Sequence, residues 1–149
     1  MAGLLFEDAE LGLTFTSPAR TITEADLTSF SGLSGDYNAL HTDAEYMKST
    51  QFGERIAHGA LILSIVTGLR ARTGRFDDTI IAFAEIRSWR FKAPVFIGDT
   101  IHTNNEVVEK RETSKPDRGI VVQRVAVINQ RGETVQEGEM VTLVKRRAA

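Results

Sequence analysis

The chain has 149 residues, of which 42% are hydrophobic and 26% charged, with 18 basic and 20 acidic side chains and a net charge of −2. That is one domain's length of chain, and it holds no surplus of positive charge to draw it to nucleic acid or to an anionic membrane. With no cysteine it has no disulfide framework, no thiolate nucleophile and no thiolate metal site.

The opening MAGLLFEDAE turns acidic after three large apolar residues, so neither a signal peptide nor a membrane anchor is expected and a cytoplasmic protein is the reading. Residues 13–21 mix β-branched and aromatic side chains with Pro18, which predicts a short edge strand or an extended lead-in. Thr23 followed by Asp26 is an acidic variant of the capping box, and Leu27, Phe30 and Leu33 supply one apolar face of the helix it opens. Gly32 and Gly35 end that helix. Asp36, Asn38 and His41 then fall within six residues, flanked by Gly35 and Ala39, a composition that predicts a tight irregular loop able to converge polar groups. A short helix from Asp43 to Lys48 and a break at Phe52-Gly53 complete this half.

The run 56–69 contains no charge apart from His58, so its helix is expected to be covered on most sides. At about 100° per residue, Ala60, Ser64, Thr67 and Ala71 share one small side, and Ile62, Ile65, Val66 and Leu69 the opposite, bulky side. The bulky side suits packing on a sheet. The small side suits close approach by backbone, a partner subunit or a substrate chain. Gly59, near the helix start, leaves an N–H pointing outward with the positive end of the helix dipole behind it, which suits an oxygen that gains negative charge.

Past Arg72 the signals are those of strands at 79–90, 100–111, 119–129 and 135–145, with turns at 115–119 and 129–132. Helices first and antiparallel strands afterwards make an α+β fold: one domain over 1–149, its sheet curled against one long helix. A single sheet cannot cover both sides of that helix, so a homodimer or a dimer of dimers is expected.

Asp36, Asn38 and His41 together are a carboxylate, an amide and an imidazole, the set needed to orient a water and move a proton near neutral pH. A purely local reading also exists: Asp36 and Asn38 as turn residues bonding their own backbone, and Asp43 as a helix cap. For Asp43 the cap is preferred. His58 reads as a buried, hydrogen-bonded structural histidine and His102 as solvent-facing. Three scattered histidines without cysteine give no metal-ligand spacing, so no metal is expected.

FSGLSGDYNALH followed by FGERIAHGALILS closely resembles the motif of MaoC-like dehydratases and (R)-specific enoyl-CoA hydratases, a family with the hotdog fold. FKAPVFIGDTI, residues 91–101, resembles the family's strand connection, so the likeness runs from Thr23 onward. It implies that Asp36 and His41 are catalytic, that Asn38 supports them, and that Gly59 offers its N–H to a thioester carbonyl. Two positions depart from the family pattern, Ala39 in place of a proline and Met47 in place of a small residue. Met47 is therefore expected to reshape an acyl pocket that Ser64 and Thr67 also line.

The implied reaction is the reversible, cofactor-free hydration of a trans-2-enoyl thioester, carried by CoA or by an acyl carrier protein, to the (R)-3-hydroxyacyl thioester. A hotdog thioesterase is an alternative, although many carry a catalytic carboxylate on the central helix and 56–69 has neither Asp nor Glu. A non-catalytic thioester-binding dimer partner is another, although a scaffold has no use for Asp36, Asn38 and His41.

Overall fold

A computed structural model of the chain describes residues 3–147. Strands β1 (Thr14–Thr16) and β2 (Arg20–Thr21) precede helices α1 (Glu24–Ser34), α2 (Ala39–Thr42), α3 (Ala44–Lys48) and α4 (Gly59–Ala71). Four long strands follow: β3 (Ile80–Phe91), β4 (Thr100–Glu112), β5 (Arg118–Ile128) and β6 (Thr134–Lys145). The sheet runs β1-β4-β5-β6-β3, with β2 also on β4, and every pairing is antiparallel.

Local chemistry sets the helix ends as expected. Thr23 and Asp26 close a reciprocal capping box on α1, and Gly35 ends that helix in the left-handed region at φ 76°, which costs a glycine nothing. Leu27 is buried, but Leu33 is 84% exposed. The apolar face of α1 therefore stops at Phe30, because the last turn overhangs the polar loop. Asp43 caps α3 through Tyr46 N at 2.9 Å.

The bulky side of α4 packs as its spacing predicts. Ile62, Val66 and Leu69 are buried in one cluster with Ile101, Val125, Val127 and Met140, each such aliphatic side chain contributing about 1.5–3 kcal/mol. The opposite side is different: Ala60, Ser64, Thr67, Gly68 and Ala71 are all exposed. The chain by itself therefore covers only half of α4.

The strand order departs from chain order at β3, which lies beyond β6 at the sheet edge. It is bonded on one side only, and Ile80, Ile81, Phe83, Ile86 and Phe91 are exposed along it. Residues 3–13, read from sequence only as a non-membrane start, form a second core. There Phe6 and Ala9 are buried with Val107, Val121 and Val144, and a Cβ on Gly119 would lie 2.2 Å from the Phe6 ring. Glu7 ties this segment to the last strand by accepting from Arg146 Nε and Arg147 N, both at 3.0 Å.

Candidate active site

His41 is held on a one-turn helix, not on the irregular loop expected. Asn38 is the N-cap of that turn, its side-chain oxygen accepting from Leu40 N at 3.0 Å. Asp36 accepts from Asn38 N through Oδ1 at 3.2 Å. The local turn reading and the convergent one are therefore compatible: Asp36 spends Oδ1 on the turn and points Oδ2 at His41 Nε2, 3.8 Å away. At that separation the two do not bond directly, and one water can contact both at about 2.8 Å.

The tautomer of His41 follows from its other nitrogen. Nδ1 lies 2.7 Å from Ile56 O, and a carbonyl only accepts, so Nδ1 carries the proton and the neutral ring keeps its lone pair on Nε2. His41 is buried, while the Asp36 side chain is 50% exposed. The pair thus has one wall in the protein and one toward the opening.

His58 holds the loop from below. Its ring stacks on His41 with centroids 3.7 Å apart and meets Phe30 edge-on at 4.9 Å. Its Nε2 donates to Asp36 O at 3.1 Å and lies 3.2 Å from Ser31 Oγ. It is buried and hydrogen-bonded, and through these bonds it joins α1, the Asp36 backbone and the head of α4. Arg55 adds a second tie, a two-pronged ion pair to Glu24 with a contact at 3.4 Å to His41 O.

Asp36, His41 and His58 bring one ligand atom each within 4.8 Å of one another, but they do not fit a metal ion. A metal bonds imidazole nitrogen in the ring plane at about 2.0–2.1 Å. Rings stacked 3.7 Å apart with 25° between their planes do not aim at a common point. Each ring also already donates one nitrogen to a carbonyl.

A cavity of about 460 Å³ opens beside His41, lined also by Phe52, Ile56, Gly59, Phe91 and Gln136 among others. Gly59 N–H, the first of α4, has no acceptor among the described residues and sits at the positive end of the helix dipole. A Cβ there would meet the Phe91 ring at 3.1 Å, so glycine lets the ring close over the helix head. Gln136 reaches in from β6, accepting from Trp89 Nε1 at 2.9 Å and donating to Gly59 O at 3.1 Å.

Phe52, Phe91 and Gln136 were not singled out from sequence. Among the residues assigned to an acyl pocket, Met47 is fully buried beneath α3, with Thr50 Oγ1 on its sulfur at 3.8 Å, and does not line this cavity. Ser64 bonds back to Ala60 O on the open side of α4. Thr67 lines a different, smaller hollow near the other end of that helix. His102, expected toward solvent, is half-buried in β4.

Another hollow of about 500 Å³ lies by Thr16, Asn104, Glu106 and Arg124. Its polar groups pair with one another, Thr16 Oγ1 donating to Asn104 Oδ1 at 2.9 Å and Arg124 meeting Glu106 at 3.4 Å.

Residues 9–129 match the MaoC like domain. An (R)-specific enoyl-CoA hydratase of Rhodospirillum rubrum is 36% identical over 142 residues, 95% of this chain and 92% of that protein. Protein MaoC of Klebsiella aerogenes is 37% identical over 113 residues, 76% of this chain; that match spans about a third, 32%, of the MaoC protein's length. Among solved structures, a monoamine oxidase regulatory protein of Archaeoglobus fulgidus superposes with a TM-score of 0.91 at 38% identity, covering 99% of this chain and 98% of that one. The fold alone is shared with a Mycobacterium tuberculosis protein described as a double hotdog, at a TM-score of 0.86 and 22% identity over 97% of this chain and 45% of that one. The chain belongs to the MaoC-like dehydratase family and has the hotdog fold.

Proposed function

We propose that the protein adds water reversibly to trans-2-enoyl thioesters, giving (R)-3-hydroxyacyl thioesters, with Asp36 and His41 as its acid–base pair. The observation that carries this reading is that His41 Nε2, 3.8 Å from Asp36 Oδ2, belongs to a ring lining a cavity whose wall includes the head of α4. A water donating to both acceptors turns a lone pair toward the β-carbon of the bound enoyl group. As the C–O bond forms, one side chain takes the water's proton and the pair returns a proton to the α-carbon, so that H and OH add across the double bond. Gly59 N–H, backed by α4, stabilises the enolate-like thioester oxygen while charge resides there. No cofactor beyond the carrier of the thioester enters the reaction.

The working form is a homodimer, or a dimer of dimers, joined through β3 with the open sides of both α4 helices covered. Its support is the exposed apolar row on that strand and the half-covered helix. No helix among the described residues is long and apolar enough to cross a membrane, and the proposed setting is the cytoplasm. The test is a set of trans-2-enoyl-CoA substrates followed by loss of the conjugated enoyl absorbance, with free thiol measured in the same samples. Absorbance loss without thiol release is expected; thiol release without hydration identifies a thioesterase instead.

A further inference from the structure

The N–H proposed to meet the thioester oxygen belongs to the residue type least able to hold its own direction. Gly59 has no Cβ, and glycine ranges over more of φ/ψ space than any other residue. It is also the first residue of α4, where the helix supplies no acceptor for the N–H. The peptide before it is held by the helix, since Ile62 N donates to His58 O at 3.2 Å. The peptide after it is held from the sheet as well, since Gln136 Nε2 donates to Gly59 O at 3.1 Å.

Gln136 is in turn kept in one orientation. It is 2% exposed, and its Oε1 accepts from Trp89 Nε1 at 2.9 Å. An indole N–H only donates and a peptide carbonyl only accepts, so Trp89 and Gly59 together dictate which end of the amide is oxygen and which is nitrogen. Trp89 has a fitted seat: Gly138, on the same strand as Gln136, carries no side chain, and a Cβ there would lie 2.7 Å from Trp89 Cε3. Across the β3–β6 pairing Gln136 stands opposite Phe91, whose ring lies 3.1 Å from where a Cβ of Gly59 would be. One cross-strand pair thus clasps Gly59, the amide on its carbonyl and the ring over its Cα. Both members line the cavity with His41.

Stability alone does not call for an amide at this place. Val135 beside it and Met140 further along β6 are apolar and buried, and replacing a buried hydrogen-bonded pair by apolar groups of like shape is close to neutral. We infer that Gln136 is a positioning residue for the hydration step: held by Trp89, it fixes the Gly59 carbonyl and thereby the aim of the Gly59 N–H at the thioester oxygen. The inference rests on the hydratase reading above and gives Gln136 no part in proton transfer. A donor of this kind works by being aimed in advance, so that nothing reorganises as charge builds on the oxygen. A donor that wanders loses most in the transition state, where that charge is greatest.

The test uses Gln136→Met, which keeps the length of the side chain without its hydrogen bonds, and Trp89→Phe, which removes the indole N–H and keeps an aromatic ring. Each is read in two ways: by steady-state hydration of a trans-2-enoyl-CoA, and by the infrared carbonyl frequency of a bound saturated acyl-CoA isotopically labelled at the thioester carbon. The saturated thioester does not react, and its carbonyl frequency falls as a hydrogen bond to the oxygen strengthens. In the native protein the bound carbonyl is expected below the frequency of the free thioester, and in Gln136→Met it should return toward the free value. The same variant should lower kcat by at least about tenfold with KM within about threefold, less than the 10²- to 10³-fold that follows loss of a whole oxyanion donor. Trp89→Phe should move both readouts the same way by less. The double variant should be no slower than Gln136→Met, because both side chains act through one donor.

A bound carbonyl that absorbs alike in the native protein and Gln136→Met, an unchanged kcat, or losses that multiply in the double variant overturns the inference. If Gln136→Met does not fold, Trp89→Phe carries the same two readouts and an unchanged result in both overturns it. If the native protein hydrates no enoyl thioester, the hydratase reading fails separately. The carbonyl frequency of the saturated analogue then decides the role of Gln136: a native shift that Gln136→Met removes supports it, and equal frequencies overturn it.

Discussion

At the Gly59 end of α4, polar groups lie close together near an opening, and their backbone needs are already met: Asn38 caps α2, His41 Nδ1 bonds Ile56 O, and His58 holds the Asp36 carbonyl. At the Arg70 end a half-buried guanidinium touches one amide and one thioether beside a hollow that Asp77 also lines. The first arrangement leaves Asp36 Oδ2 and His41 Nε2 free to face a third party. The second holds a guanidinium that forms no ion pair among the described residues. The two ends of the same helix thus differ in kind and should respond differently to substitution.

The largest effect is expected at the head. Asp36→Asn and His41→Gln should each lower turnover by roughly 10²- to 10⁴-fold, the range for losing general acid–base help. Neither should shift the thermal midpoint much, since Asp36 is half-exposed and glutamine at position 41 retains a donor. Steady-state hydration rates beside a thermal melt check this. Turnover near normal in either variant would mean that the chemistry lies elsewhere.

Leu69, fully buried one residue before Arg70, sharpens the contrast from the other side. Leu69→Ala removes packing and leaves a void, so it should cost about 2–5 kcal/mol of stability in denaturant unfolding, with turnover per folded molecule largely kept. A smaller change is expected at the strand edge. Ile86→Lys puts a charge into the proposed β3 contact and should weaken self-association by at least about tenfold, visible by light scattering as a lighter species at low concentration. A variant of unchanged mass would show that this edge is not the contact.

The smallest effect concerns Glu7, remote from both ends. The Arg147 backbone N–H, opposed by burial and helped by the Arg146 guanidinium, holds its carboxyl down to about 2 from an ordinary 4.5. A carboxyl lowered on folding stabilises above its unfolded value and loses that contribution as pH falls toward its folded value. The stability difference between the native protein and Glu7→Gln should therefore be constant above about pH 5 and shrink between about 4.5 and 2. A difference that stays constant through that interval would contradict the assignment.

Much of this molecule can be read locally, and the unread parts share a cause. The capping box at Thr23, the Asp43 cap, the two-sided α4 and the turns between long strands all depend on neighbours within a few residues, and each stands as expected. The placement of β3 beyond β6 is decided by pairings some fifty residues apart, which alternation along one strand does not encode. Gln136 and Phe91 belong to the active-site cavity only because that topology brings β6 and β3 to the head of α4. Met47 stays out of that cavity's lining for a related reason, since the family motif fixes its distance along the chain from His41 but not the side of α3 it occupies.

The most direct test of the central claim is to mix the native protein with trans-2-enoyl-CoA substrates and record enoyl absorbance, free thiol and product configuration together. The expected result is absorbance loss, no thiol, and a product of (R) configuration at the 3-hydroxyl, all abolished by His41→Gln. Thiol appearing while the enoyl absorbance persists, or hydration that continues undiminished in His41→Gln, would contradict it.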